Sequence, residues 1–339
     1  MKPLTLHRVL WTCAALLAVL FAMILVALKV GAVPISITDL ALNLGRVILG
    51  RRAEMQSDYR LIVFGLRLPR IVLGMMVGGA LSVSGASFQA LLRNPLADPY
   101  VLGVSSGGAV GAILALILLP QVALATPFAA FLGAIATIAA VYFLGRRRGQ
   151  LDSTTLLLAG IISASFLSAV IIFLMTTTVG RDLRGMPFWL MGDLSAPLPE
   201  SLHWILLAGL IVGIGAIYTT AADLNLITSG EREAMHLGVD VTRVKLVVYV
   251  SASLLTGLAV SVSGAIGYVG LLVPHVMRML FGSDYRLLIP TSAIGGAIAL
   301  LLADTLARTV ALPTELPVGA VTAMVGAPLF IYLLRRRLR

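Results

Sequence analysis

Long apolar runs, separated by short polar breaks that often carry Gly or Pro, dominate the chain. A helix that crosses a bilayer needs roughly 20 consecutive apolar residues. Such runs fall at 9–30, 68–92, 100–119, 123–145, 153–178, 202–222, 243–263, 266–282, 288–307 and 317–334, which predicts an all-α membrane protein with ten transmembrane helices. The third and eighth runs are short or interrupted by Gly and Pro, and the eighth contains Pro274. Interruptions of that kind require neighbouring helices to satisfy the freed backbone groups.

The stretch from Leu66 to Gly108 is the organising one. Arg67 and Arg70 stand at its start, and an apolar run dense in Gly, Ala and Ser follows. Gly74, Gly78, Gly79, Ala80, Ser82, Ser84 and Gly85 would let a second helix approach to backbone distance, as packing inside a membrane requires. The run closes on Asn94-Pro95-Leu96-Ala97-Asp98-Pro99. A central membrane helix entering a tightly turned loop is the expected structure.

Composition agrees with the pattern. Of 339 residues, 59% are hydrophobic and 12% charged, against about 25% charged in a soluble domain. No charged, loop-rich block is long enough for a soluble domain, so residues 1–339 read as a single transmembrane domain. The lone Cys13 rules out an internal disulfide or a cysteine metal cluster. A net charge of +10 could suit nucleic acid or anionic lipid. No basic residue is interleaved with aromatic stacking groups, so the arginines are read as topology signals and no nucleic acid is expected. At the N-terminus, Lys2, His7 and Arg8 precede an apolar run too long for a signal-peptide core, with no A-x-A site after it; a retained first span is expected.

With both termini placed in the cytoplasm, 15 of the 25 Lys and Arg fall inside and 10 outside. Both terminal basic clusters and the Arg146–Arg148 triplet are then inside. The outer segment from Arg46 to Arg70 nevertheless holds six arginines. One reading is snorkelling to lipid headgroups; the other is a basic collar that receives an acidic soluble partner. The nine residues from Gly78 to Ala86 recur, in GxAxSVSGA form, from Gly257 to Ala265, an offset of 179 at which Pro95 also meets Pro274. In the expected topology the two copies run in opposite directions. That implies two inverted five-helix halves, about 1–200 and 201–339, a plan common in transporters.

Little in the chain could carry bond-making chemistry. There is no G-x-x-x-x-G-K-[ST] loop, and Gly103-Val104-Ser105-Ser106-Gly107-Gly108 lacks the lysine that reaches a phosphate, so any ATP dependence must come from another chain. His7, His203, His236 and His275 are isolated, and neither a metal site nor a cofactor site is expected. His275, within a span, is a functional suspect by position, although a neutral histidine bonding a neighbouring helix is the plainer reading. Asp304 and Arg308 share a helix face at i, i+4: a local ion pair, or an arginine that joins Arg67 and Arg70 outside. Among the cytoplasmic connections, Ala222–Lys245 is the substantial polar one. Ser229 and Gly230 start a short helix there, Glu231 and Glu233 lie in its first turn, Ala234, Met235 and Leu237 give it an apolar side, and Gly238 ends it. Its acidic face argues against a lipid-surface helix and for a partner contact.

RLPR at 67–70, GGALSVSGASFQALLRNPLADPYVLGVSSGG, GAIGYVGLLVPHVMR at 264–278 and ELPVGAVTAMVGAPLFIYLL at 315–334 resemble the FecCD family of ABC importer permeases, the ten-helix subunits that import iron–siderophore, haem or vitamin B12. The resemblance covers nearly the whole chain. It implies a homodimer in a bacterial inner membrane with the path between two copies, a cytoplasmic ATPase dimer, an extracytoplasmic substrate-binding protein, and no catalysis by this chain. It further implies docking of the binding protein by Arg67, Arg70 and Arg308. Ser153 and Thr154 in LDSTTLLLAG would form the cytoplasmic gate, with Asp152 as an additional acid beside them. Gly230, Glu231, Glu233, Ala234, Leu237 and Gly238 would seat in the ATPase. Siderophore is the default cargo on this resemblance, with corrinoid and haem as alternatives. A secondary transporter acting alone is the competing class; it would place buried charges along its path, and the span centres hold almost none.

Overall fold

A computed structural model describes residues 5–337, apart from 32, 34, 50–56, 123, 148–149, 179–184 and 197. Arg51, Arg52, Arg148, Arg181 and Arg184 of the charge tally, and the terminal Lys2 and Arg339, therefore lie outside the described residues.

All ten apolar runs are helical, with ends within a few residues of expectation. The first is α1 (Leu6–Lys29), capped by Thr5, whose hydroxyl accepts from Arg8 N at 3.3 Å. An amphipathic α2 (Ile37–Ile48) follows. Then α3 (Ser57–Arg60), a π-helical stretch Leu61–Arg67 and α4 (Leu68–Leu91) form one continuous helical run of 35 residues. The sequence reading missed α2 and began the second span at 68. Pro69 explains the π stretch: it removes one backbone donor and crowds the carbonyl one turn back, and the wider turn absorbs the misfit.

A 3₁₀ turn (Pro99–Leu102) leads into α5 (Val104–Leu118), and α6 (Ala125–Leu144) follows. The two-residue strands β1 (Arg146–Arg147) and β2 (Gln150–Leu151) pair as a small hairpin. After it come α7 (Ser153–Thr177), α8 (Gly185–Met191), α9 (Glu200–Thr219), α10 (Ala221–Ser229) and α11 (Glu231–His236). The chain ends with α12 (Val241–Ser263), α13 (Val269–Phe281), α14 (Tyr285–Ala307) and α15 (Val318–Arg337). Among the described residues seven helices are long and apolar enough to cross a membrane; the third, eighth and tenth runs form the shorter apolar helices 104–118, 269–281 and 318–333.

Helix α4 is the axis of the bundle. Every residue from Met76 to Leu92 is buried, beneath α12, α13 and α14. In hydrocarbon no hydrophobic force drives helices together, so close packing must hold them. The glycines provide it: a Cβ on Gly78 would lie 2.2 Å from the Gly296 carbonyl oxygen of α14, and one on Gly85 would lie 1.8 Å from that of Gly270 in α13. Buried hydroxyls add cross-links, as where Ser84 Oγ donates to Ala252 O of α12 at 2.8 Å.

The nine-residue repeat falls in α4 and, over 257–263, in α12, but at different depths in the two helices. Helices α4 and α12 start 173 residues apart, at 68 and 241. At the offset of 179 the first copy lies inside α4, whereas the second runs out of α12 at Ser263 and Gly264. There the small residues do a different job: Gly264 turns the chain with φ 65° under the Trp189 carbonyl oxygen, 2.1 Å from where its Cβ would be.

Replacing Gly85 with Val should separate α4 from α13 and cost about 3 kcal/mol or more through overpacking. Gly215→Ala, where nothing lies within 4 Å of the added carbon, should be neutral or slightly stabilising. Thermal unfolding of the two variants in detergent checks the contrast, and equal midpoints would refute it.

Candidate functional site

At the end of the bundle where α4 begins, the structure brings Arg67, Arg70 and Arg308 together around an open depression of about 570 Å³, with Glu315 and His203 on its walls. Arg67 ends the π-helical stretch and is buried at 6% exposure. Its guanidinium donates to the carbonyl oxygens of Leu28, Lys29 and Val33. The last carbonyls of a helix have no partner within it, so Arg67 acts as a cationic cap on α1, where the helix dipole also favours positive charge. Gly31 makes room for it, since a Cβ there would lie 2.7 Å from Arg67 Nη2.

One turn on, Arg70 Nε donates to Asp304 Oδ1 at 2.9 Å and Nη1 donates to Glu315 Oε2 at 2.7 Å. Arg308 Nε stands 3.1 Å from Asp304 Oδ2, the i, i+4 ion pair expected from spacing. Asp304, 1% exposed, is thus shared by two guanidiniums. With Glu315, two carboxylates face three arginines, leaving one net positive charge. Removing Asp304, the buried acid of the set, would leave an uncompensated buried charge at a cost of about 3–5 kcal/mol.

Of the collar expected from sequence, Arg67, Arg70 and Arg308 are thus tied into a compact network within the chain. Arg67 and Arg308 spend their donors inside the chain, and among the three Arg70 is the most open, at 13% side-chain exposure. Glu315, at 48% side-chain exposure, was missed as a site residue. The ELPVG stretch held it, but nothing in that stretch pointed to an arginine 245 residues earlier.

At the opposite end of α4, the α10–α11 hairpin is pinned to α14. Asn225 Nδ2 donates to Asp284 Oδ1 at 2.9 Å and Tyr285 N donates to Asn225 Oδ1 at 2.9 Å. Hydrogen bonds, first from Arg286 and then from Asn225, hold the Asp284 carboxyl down at about 2, against the cost of its partial burial. Ser229 closes α10 by donating to Asn225 O at 3.2 Å, leaving Gly230 as the first residue of the α11 turn. Gly238 ends the segment at φ 88°, as expected of a helix stop. The apolar side is revised: Ala234 is fully buried, while Met235 and Leu237 are 52% and 68% exposed. Glu233 is exposed, and Glu231 pairs with Lys245 Nζ at 2.7 Å.

Lys245 also donates to Leu151 O in β2 at 3.3 Å, two residues before Ser153. Ser153 Oγ donates in turn to Leu91 O, at the end of α4, at 3.1 Å. Thr154 is exposed. Asp152 is the N-cap of α7 and accepts from Thr155 N at 2.8 Å, which accounts for the additional acid structurally. Among the described residues no cluster of three His, Cys, Asp or Glu could hold a metal ion. His275 lines a depression at this same end.

Residues 17–336 match the FecCD transport family. The cobalamin import system permease protein BtuC of Halobacterium salinarum is 45% identical over 82% of this chain and 74% of its own. The hemin transport system permease protein HmuU of Yersinia pestis is 42% identical over 81% of this chain and 84% of its own. A solved inward-facing transporter, described as an ABC transporter of metal-chelate type, superposes with a TM-score of 0.83 at 29% identity, covering 96% of this chain and 99% of that one. The chain belongs to the FecCD transport family and is a multi-pass membrane permease of the ABC importer class.

Proposed function

We propose that two copies of this chain form the path of a binding-protein-dependent importer, powered by a separate ATPase dimer. The family match over residues 17–336 carries this reading. In it the three shorter helices complete ten crossings in two inverted halves, with both termini cytoplasmic, α11 against the ATPase and the Arg70 cluster outside. The exposed Met235 and Leu237 on α11 suit insertion into a partner groove. Exposed apolar residues along α7, such as Ile162, Phe166 and Phe173, suit a face that meets lipid or the second copy. The cargo is a metal chelate. Relatives named for cobalamin and hemin support a macrocyclic chelate, and the siderophore expected from the resemblance stands beside it.

Liposomes holding this chain, its ATPase and its binding protein should accumulate one of the three cargo classes only when ATP is supplied. Uphill uptake by this chain alone would overturn the assignment in favour of a secondary transporter.

Docking of the binding protein is assigned to the outer cluster. Because Arg70 is its open cation, Arg70→Glu should weaken docking roughly tenfold at low salt, and less at high salt where charge is screened. Glu315→Gln, which removes a competing carboxylate, should strengthen it. Unchanged affinity in both variants would remove the cluster from the docking surface.

Coupling is assigned to the contact series Glu231–Lys245–Leu151, which joins α11 to the hairpin in front of the gate residues Ser153 and Thr154. Lys245→Met keeps the aliphatic stem and deletes the ammonium. It should leave ATPase binding intact while cutting cargo moved per ATP hydrolysed, and an unchanged ratio would refute the link.

A further inference from the structure

A second depression, of about 630 Å³, lies at the end of the bundle that carries the α10–α11 hairpin, with Thr228 of α10 on its wall. Its polar lining comes chiefly from Gln89, Arg93, His275 and Arg278, and Met279 and Leu333 give it an apolar edge. No Asp or Glu lines it, and among the described residues neither Arg93 nor Arg278 meets a carboxylate. It is thus the chemical opposite of the outer cluster, where every arginine but Arg67 is matched to an acid.

The chain fixes the Arg278 guanidinium and the backbone that carries Arg93. Gln89 is 3% exposed; its amide donates to Leu271 O at 3.2 Å and its carbonyl accepts from Arg278 Nη2 at 3.0 Å. That fixes the amide orientation and, with it, the guanidinium. Arg93 sits just past the end of α4 at φ 48°, a left-handed conformation unfavourable for a non-glycine residue. The Asn94 N to Gln89 O bond at 3.1 Å closes the turn around it, and its side chain is exposed. A glycine would make the same turn without strain.

Two guanidiniums with no acid between them, beside apolar Met279 at 55% exposure and the neighbouring Leu280 at 64%, call for a ligand that is anionic at one end and greasy at the other. We infer that this depression binds the phosphate diester headgroup of an anionic phospholipid, its acyl chains lying along α13 and α15. Basic pockets between membrane helices take such headgroups on the cytoplasmic side, where each Lys or Arg adds about 1 kcal/mol. The inference rests on the proposed orientation only for which leaflet supplies the lipid. Free phosphate would satisfy the cations and leave the apolar edge unused.

The test is lipid retention by the full chain in nanodiscs made with a minority of phosphatidylglycerol in phosphatidylcholine, read by native mass spectrometry. Phosphatidylglycerol should be retained in excess of its share, and Arg93→Gln should cut that excess about fivefold. Arg93→Lys should restore most of it. Arg93 is exposed, so Arg93→Gln should keep its thermal midpoint, and Arg278→Gln serves only as a second reading if it folds. Equal retention of both lipids, or an excess indifferent to Arg93→Gln, would overturn the proposal. So would displacement of the lipid by inorganic phosphate at equal concentration, or its complete expulsion when the ATPase binds, which would give the two arginines to a protein carboxylate.

Discussion

Backbone touching backbone along α4 is the constraint on which the rest of the structure depends. Side chains gain nothing by leaving lipid for another helix, so the bundle is held where glycine lets main chains meet. Gly78 meets Gly296, and Gly85 meets Gly270, at distances no Cβ would allow. Those contacts fix α13 and α14 against α4, and so set the depth at which the polar groups at both ends of α4 lie.

At the end where α4 begins, that placement turns isolated charges into a network. Arg70 comes from α4, Asp304 and Arg308 from the end of α14, and Glu315 from the link to α15. Arg67 meanwhile ties in α1, which has little other burial in the bundle. A cation buried this deeply must be balanced within the chain. Sharing Asp304 between two guanidiniums meets that need and leaves one edge of Arg70 near the surface.

The opposite end is built differently. There Lys245 bridges α11 and the β2 strand, and Ser153 bonds the last turn of α4. A displacement of α11 therefore meets a short, directed series of contacts to the start of α7. The neighbouring depression, with its two unmatched arginines, belongs to the same end but serves a different kind of ligand.

Apolar run length was enough to show that the chain spans a membrane and where its apolar helices lie, though not the amphipathic α2, because burying backbone in hydrocarbon permits little else. Small-residue density marked α4 as central, and Gly238 marked the end of α11, since both signals are local in the chain. Its long motifs, RLPR through ELPVG, were enough to point to the family. Which polar atoms meet follows from packing, not from local sequence. Arg70 and Asp304 are 234 residues apart, and Lys245 and Leu151 are 94 apart. Whether an arginine is a free docking cation, a helix cap or half of an ion pair depends on what stands within 3 Å of it, and helix packing alone sets that. The nine-residue repeat teaches the same lesson: its Gly85 serves helix contact in α4, whereas the matching Gly264 turns the chain just after α12.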